Sequence, residues 1–156
     1  MKILVPLDGS QIAEAAVPLA LELARGEHVG LMLLMVTNVH PAPDPAPCAP
    51  DVAPIRDAQT YLDTARQRLT SGYSEVSTVV WRGAPAAAIV SAALQYGADR
   101  IVMTSHGRAG TERDVFGSVA DAVLRHAPMS VIVVRPPREA AGLMTQSAAP
   151  MAVSMH

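Results

Sequence analysis

Residues 103–119, MTSHGRAGTERDVFGSV, bring three glycines, a histidine and two arginines together between two apolar stretches. Gly117 stands directly before SVADAVLRHA, a helical pattern that Ser118 opens. The first amides of a helix have no intrahelical partner and carry partial positive charge, so such a start is a ready anion site. A glycine there lets a phosphate come close to the backbone, and the Ser118 hydroxyl can donate to it. Gly107 and Gly110 permit a left-handed backbone, which would let the intervening loop wrap a polyphosphate. Arg108 and Arg113 are the cations of this stretch.

Lys2 is the sole lysine. The Walker-type phosphate loop G-x-x-x-x-G-K-[ST] is therefore excluded, and phosphate would have to be held by amides, hydroxyls or arginine. Magnesium would arrive with the phosphates, held by them and by water. Taken singly, each residue also has a plainer reading. The glycines can serve a turn, Ser118 can be an ordinary N-cap, Asp8 can satisfy the start of the first helix, and His106 can be structurally hydrogen-bonded. The argument for a site lies in their convergence.

What positions these residues follows from the pattern of apolar runs. KILVPLD reads as a strand buried on both faces, ending at Asp8-Gly9-Ser10. Ser10 is a good N-cap for QIAEAAVPLALELAR, one helix stopping near Gly26 and bent at Pro18. HVGLMLLMVTNV is a second strand. Six prolines between Pro41 and Pro54 predict an extended loop over 38–54. Ile55, Ala58, Leu62, Ala65 and Leu69 then recur at steps of three and four, which predicts an amphipathic helix. SEVSTVVWRG is a third strand. A helix opened by Pro85 runs to a C-cap at Gly97, and DRIVMTS forms strand four. MSVIVVR, after the last helix, is strand five. Residues 137–156 lack periodicity and are expected to be a disordered tail, leaving one domain over 1–136.

Strands alternating with helices predict an α/β fold, a five-stranded parallel sheet with helices on both faces. Ligands of such sheets bind outside the carboxyl ends of the strands, where the strand order reverses. That directs attention to Asp8, to Val36 and Asn38, and to Thr104–Gly107.

The opening ILVPLDGS, the run GADRIVMTSHGRAG and the closing GSVADAVLRHAPMSVIVVRP resemble the universal stress protein family over residues 1–136. The family signature is G-x2-G-x9-G-[ST]. Gly107, Gly117 and Ser118 match its second half, while Thr104 stands where its first glycine would be. The resemblance implies strand order 3-2-1-4-5, with ATP, ADP or AMP at the junction of strands one and four. Carried over by position, Asp8 would meet the ribose or adenine beside Pro6, and the Val36 backbone would read the adenine edge. Met103 and Thr104 would line the floor, and Gly107, Gly117, Ser118 and Val119 would surround the phosphates, with Arg108 and Gly110 in the same loop. A bulky side chain at Gly117 is expected to crowd the phosphates while leaving the fold intact. The resemblance also implies a homodimer paired through strand 130–135, consistent with the rule that an open apolar edge invites another chain.

Other classes fit less well. A receiver domain needs a lysine after its last strand, where this chain has VVRPP. An adenylyltransferase would want His-Gly-His after strand one, and an ATP pyrophosphatase Ser-Gly-Gly; the chain has Asp8-Gly9-Ser10. Glu112 and Asp114 are loop carboxylates without a perturbing environment, so no general base is evident and a non-enzymatic regulator is expected. The competing reading is a nucleotide-independent dimeric interaction module. A net charge of −2 gives no electrostatic reason to expect nucleic acid. The single Cys48 excludes an internal disulfide, and the apolar run ILVPL is shorter than a membrane span, so a soluble cytoplasmic protein is expected.

Overall fold

The computed structural model describes residues 1–37, 53–106 and 116–135. Along the chain these form β1 (Lys2–Leu7), α1 (Gln11–Glu14), α2 (Val17–Glu27), β2 (Gly30–Thr37) and α3 (Ala53–Leu69). They continue as β3 (Val76–Arg82), α4 (Pro85–Gln95), β4 (Arg100–Thr104), α5 (Ser118–His126) and β5 (Ser130–Val134). The strands pair in parallel in the order β3-β2-β1-β4-β5. The expected fold class and strand order are therefore those observed. The proline-rich segment 38–52, with Cys48 and Asn38, and the tail 137–156 lie outside the described residues.

The central strands read as unbroken apolar runs because both of their faces are covered. Ile3, Val5, Leu31, Leu33 and Val102 point to one layer, where they meet Val17, Ala20 and Ala24 of α2 and Leu62 and Ala65 of α3. Leu4, Met32, Leu34, Ile101 and Met103 point to the other, against Ile89, Ala92 and Ala93 of α4 and Ala120 and Val123 of α5. α1, α2 and α3 thus cover one face and α4 and α5 the other. That is the arrangement right-handed crossovers give to this strand order.

Three boundaries differ from the sequence reading, each for a physical reason. The helix expected across Gln11–Arg25 is two helices. The amides of Ala15 and Ala16 donate only three residues back, to Ile12 and Ala13, at 3.2 Å each, and α2 restarts with Pro18 in its first turn. A proline in a first turn forfeits no ladder bond, so Pro18 is accommodated there and the bent single helix is not formed. α2 then runs past Gly26 to Glu27, and its left-handed cap is His28 (φ 54°, ψ 46°), not the glycine. Finally, α3 begins at Ala53, inside the segment expected as loop, because Pro54 also falls in a first helical turn. The C-terminal signal at Gly97 holds, with the glycine left-handed at φ 64°.

Candidate functional site

The sheet splits at its switch point. The β1–β4 ladder registers Ile3 with Arg100 and Leu4 with Ile101 and goes no further, although β1 runs on to Leu7. Pro6 lies in that unpaired end and has no N–H to donate, which is why a proline is tolerated in the central strand. On the other side of β1 the ladder with β2 ends at Leu7–Met35, while β2 continues beside β3 through Val36–Trp81 to Thr37–Arg82. A crevice therefore opens at the carboxyl ends of β1, β2 and β4. Pro6, Asp8, Val36, Met103 and Thr104 lie at or next to these strand ends, with the Met103 side chain turned into the core beneath α4 and α5.

Asp8 sits in a tight turn. Its Oδ1 accepts from the Ser10 amide at 2.9 Å and from the Ser10 hydroxyl, and Gly9 between them takes φ 83°. The Ser10 Oγ in turn accepts from the Ala13 amide at 3.1 Å, so Ser10 is the N-cap of α1 as its residue type predicts. The plainer reading of Asp8, as support for the first helix, is thus part of its role.

At the far side, β4 delivers Met103 and Thr104, both 6 % exposed, followed by Ser105 at 2 %. The Thr104 hydroxyl donates to the His106 carbonyl at 2.8 Å, and the Ser105 hydroxyl lies 3.1 Å from His106 Nδ1. The chain returns at Gly117, whose amide donates to the Ser105 carbonyl at 2.7 Å. Gly117 is the N-cap of α5, with no side-chain cap, and Ser118 is the first helical residue, not the cap. The first helical bond of α5 runs from the Asp121 amide to the Gly117 carbonyl at 2.9 Å. The amides of Ser118, Val119 and Ala120 have no intrahelical partner, whereas that of Gly117 is already taken. The Gly117 amide, one of the donors expected to meet an anion, is therefore engaged within the protein. A side chain at Gly117 would set its Cβ 3.3 Å from the Ser105 carbonyl oxygen, which must give by a few tenths of an ångström, and 3.6 Å from the His106 Cα, an ordinary contact.

Ser118 and Val119 also border a groove of about 570 Å³ between α4 and α5, lined further by Ala84, Ala87, Val90 and Ala122. Gly107, Arg108 and Gly110 lie outside the described residues. Among the described residues no cluster of three or more acidic, histidine or cysteine side chains is placed to hold a metal ion, and no helix is long and apolar enough to cross a membrane.

Sequence reasoning missed one element next to the site. Glu14 of α1 is 8 % exposed, and both of its carboxylate oxygens accept from Arg68 Nη2 at 2.7 Å. Its Oε1 also accepts from the Tyr61 hydroxyl at 2.9 Å. Burial pushes the Tyr61 hydroxyl above the usual phenol range. The bond to Glu14 and the charges of Glu14 and Asp8 add to that rise, and Arg68 opposes it.

The model of the universal stress protein family matches residues 1–135. Universal stress protein MJ0531 of Methanocaldococcus jannaschii is 30% identical over 142 residues, covering 88% of this chain and 84% of that protein. Among solved structures, the universal stress protein UspA from Lactobacillus plantarum superposes with a TM-score of 0.68 at 31% identity, covering 86% of this chain and 97% of its own. A universal stress protein from Archaeoglobus fulgidus in complex with dAMP gives 0.64 at 25% identity, covering 86% and 98%. Sequence and strand order agree, and this chain belongs to the universal stress protein family.

Proposed function

We propose that the chain binds ATP, or ADP or AMP, in the crevice between β1 and β4 and acts as a cytoplasmic, homodimeric regulator in the stress response. The observation that carries this reading is the start of α5. Three amides without intrahelical partners open α5, whose cap Gly117 is bonded to Ser105 directly after β4, the neighbour of β1. Oriented N–H groups with a helix dipole behind them favour a polyanion, and they need no lysine. Asp8, in the turn that follows β1, would meet a ribose or adenine, and Val36, beyond the end of the β1–β2 ladder, would offer its backbone to the adenine. The Archaeoglobus fulgidus relative solved with dAMP supports the choice of an adenine nucleotide.

The donor set fits a triphosphate: amides from α5, the Ser118 hydroxyl and the loop arginine Arg108. Bound magnesium would neutralise phosphate charge. The described residues offer it no carboxylate cluster, so phosphates and water would complete its shell. The reading is of a binding protein without catalysis, as the chain carries no sequence pattern that marks a general base for hydrolysis. The competing module without ligand is favoured by the Ser10 bonds that occupy Asp8 Oδ1.

Titration calorimetry with ATP and magnesium separates the two. Saturable heat, with a rise in Tm that grows as the logarithm of ligand concentration, is the expected result. No heat with any purine mononucleotide at millimolar excess would overturn the nucleotide reading and leave the module.

A further inference from the structure

We propose that Glu14, held by Arg68 and Tyr61 of α3, is a positioning residue that fixes the Asp8–Ser10 turn for nucleotide binding, so that α3 sets the affinity of the site. The inference rests on the nucleotide reading above and extends it to residues outside the crevice.

α1 is four residues long, too short to hold its own geometry in water. Its place is fixed by what it touches. A continuous set of hydrogen bonds leads from the crevice into it. The Ser10 amide and hydroxyl donate to Asp8 Oδ1, and the Ala13 amide donates to Ser10 Oγ at 3.1 Å. The Glu14 amide donates to the Ser10 carbonyl at 3.2 Å. The Glu14 side chain then crosses to α3, 47 and 54 residues away in sequence, to meet Tyr61 and Arg68. Glu14 is thus the side-chain link by which the Asp8 turn is tied to a full-length helix.

The chemistry of that link is suited to holding a position. A buried carboxylate tolerates its surroundings only while its charged partner is present. Arg68 Nη2 bridges both oxygens, and the Tyr61 hydroxyl supplies a third bond, so translation of α1 in either direction breaks a charge-assisted contact. The Tyr61 hydroxyl is raised chiefly by burial and by its bond to Glu14, and a smaller contribution from the Asp8 charge puts the ring within electrostatic reach of the Asp8 turn. An Asp8 carboxylate that is already oriented costs a ligand less to engage than one that must be ordered on binding.

The test uses the full chain and four single variants: Glu14→Gln, Arg68→Met, Asp8→Ala and, as control, Tyr73→Phe. Tyr73 donates to the Ala24 and Val29 carbonyls at 3.1 and 2.9 Å, at the α2–β2 junction and away from the Asp8 turn. ATP affinity is measured by calorimetry well below every variant's Tm. Glu14→Gln and Arg68→Met are expected to weaken binding about tenfold. Tyr73→Phe lowers Tm but leaves affinity unchanged, which a merely structural role for Glu14 would also predict for Glu14→Gln. In the Asp8→Ala background, adding Glu14→Gln should change affinity by less than about twofold, because residues that act through one another are not additive. Where Asp8→Ala binds too weakly to titrate, amide hydrogen exchange at Ser10 and Ala13 replaces that arm. It should quicken in Glu14→Gln and Arg68→Met and not in Tyr73→Phe.

Wild-type affinity in Glu14→Gln and Arg68→Met, a tenfold loss that persists without Asp8, or unchanged exchange at Ser10 and Ala13 would each overturn the inference while the nucleotide reading stands. Absence of ATP binding by the unaltered chain would overturn both.

Discussion

The Gly117 amide and the Ser105 carbonyl, 2.7 Å apart, close the crossing from β4 to α5 at the base of segment 107–115. The contact holds the start of α5 against the residue that follows β4. It also gives Gly117 a steric duty separate from any ligand.

Gly117→Ala should therefore lower stability even without nucleotide. The added Cβ would stand 3.3 Å from the Ser105 carbonyl oxygen, so a main-chain atom bonded to the Gly117 amide must shift by a few tenths of an ångström. A loss of about 1 kcal/mol is expected, read as a fall in Tm of about 2–4 °C. Because φ at Gly117 is −65°, no left-handed strain contributes. An unchanged Tm in the absence of nucleotide would show that the closure relaxes freely.

Thr104→Val should cost about 1–3 kcal/mol, since it removes the hydroxyl that donates to the His106 carbonyl at 2.8 Å in a buried position. Thr104→Gly, which restores the first glycine of the family signature, loses the same bond and adds backbone freedom. It should be at least as destabilised. Urea denaturation measures both as a shift in midpoint at constant slope. A midpoint for Thr104→Gly above that of the wild type would show that the threonine is an obstruction rather than a brace.

Tyr61 predicts the alkaline behaviour of the fold. Its hydroxyl is raised in the folded state, chiefly by burial and then by Glu14, so between the ordinary phenol value near 10 and the folded value the unfolded chain has lost a proton that the folded chain keeps. Stability supplied by this group is complete below about pH 10 and falls as pH rises through that window. Absorbance titration should show one of the three tyrosines ionising late, and Tyr61→Phe should abolish that component. A titration curve identical in Tyr61→Phe would contradict the assignment.

β5 ends the sheet, with β4 its neighbour on one side and no described strand on the other. Its residues Val131–Val134 are half-buried within one chain. Pairing of two such edges predicts a dimer, so light scattering at micromolar concentrations should give twice the 16.3 kDa chain mass. A steady monomer across that range would count against the homodimer.

How much of this was legible beforehand depended on the distance over which each feature is decided. The apolar runs of β1, β2 and β4 could be read directly because both faces of a central strand must be apolar, and the strand order came from the family resemblance. Asp8, Ser10 and Gly117 are locally encoded turn and cap residues, and they fall where their types place them. The break at Ala15–Ala16 was hidden, because an alanine-rich run around Pro18 carries the same periodicity whether it is one bent helix or two. His28 took the left-handed cap from Gly26 because the next strand begins at Gly30, and tertiary position overrode the glycine preference. Glu14 looked like one more polar residue of a helix. Its partners, Tyr61 and Arg68, are set by how two helices cross one face of the sheet, which no local pattern records. The same limit concealed the loss of the Gly117 amide to Ser105.

The closure at Ser105 has an evolutionary corollary. The joint is made by main-chain atoms, the Gly117 amide and the Ser105 carbonyl, so substitution of the Ser105 side chain in a relative leaves that bond available.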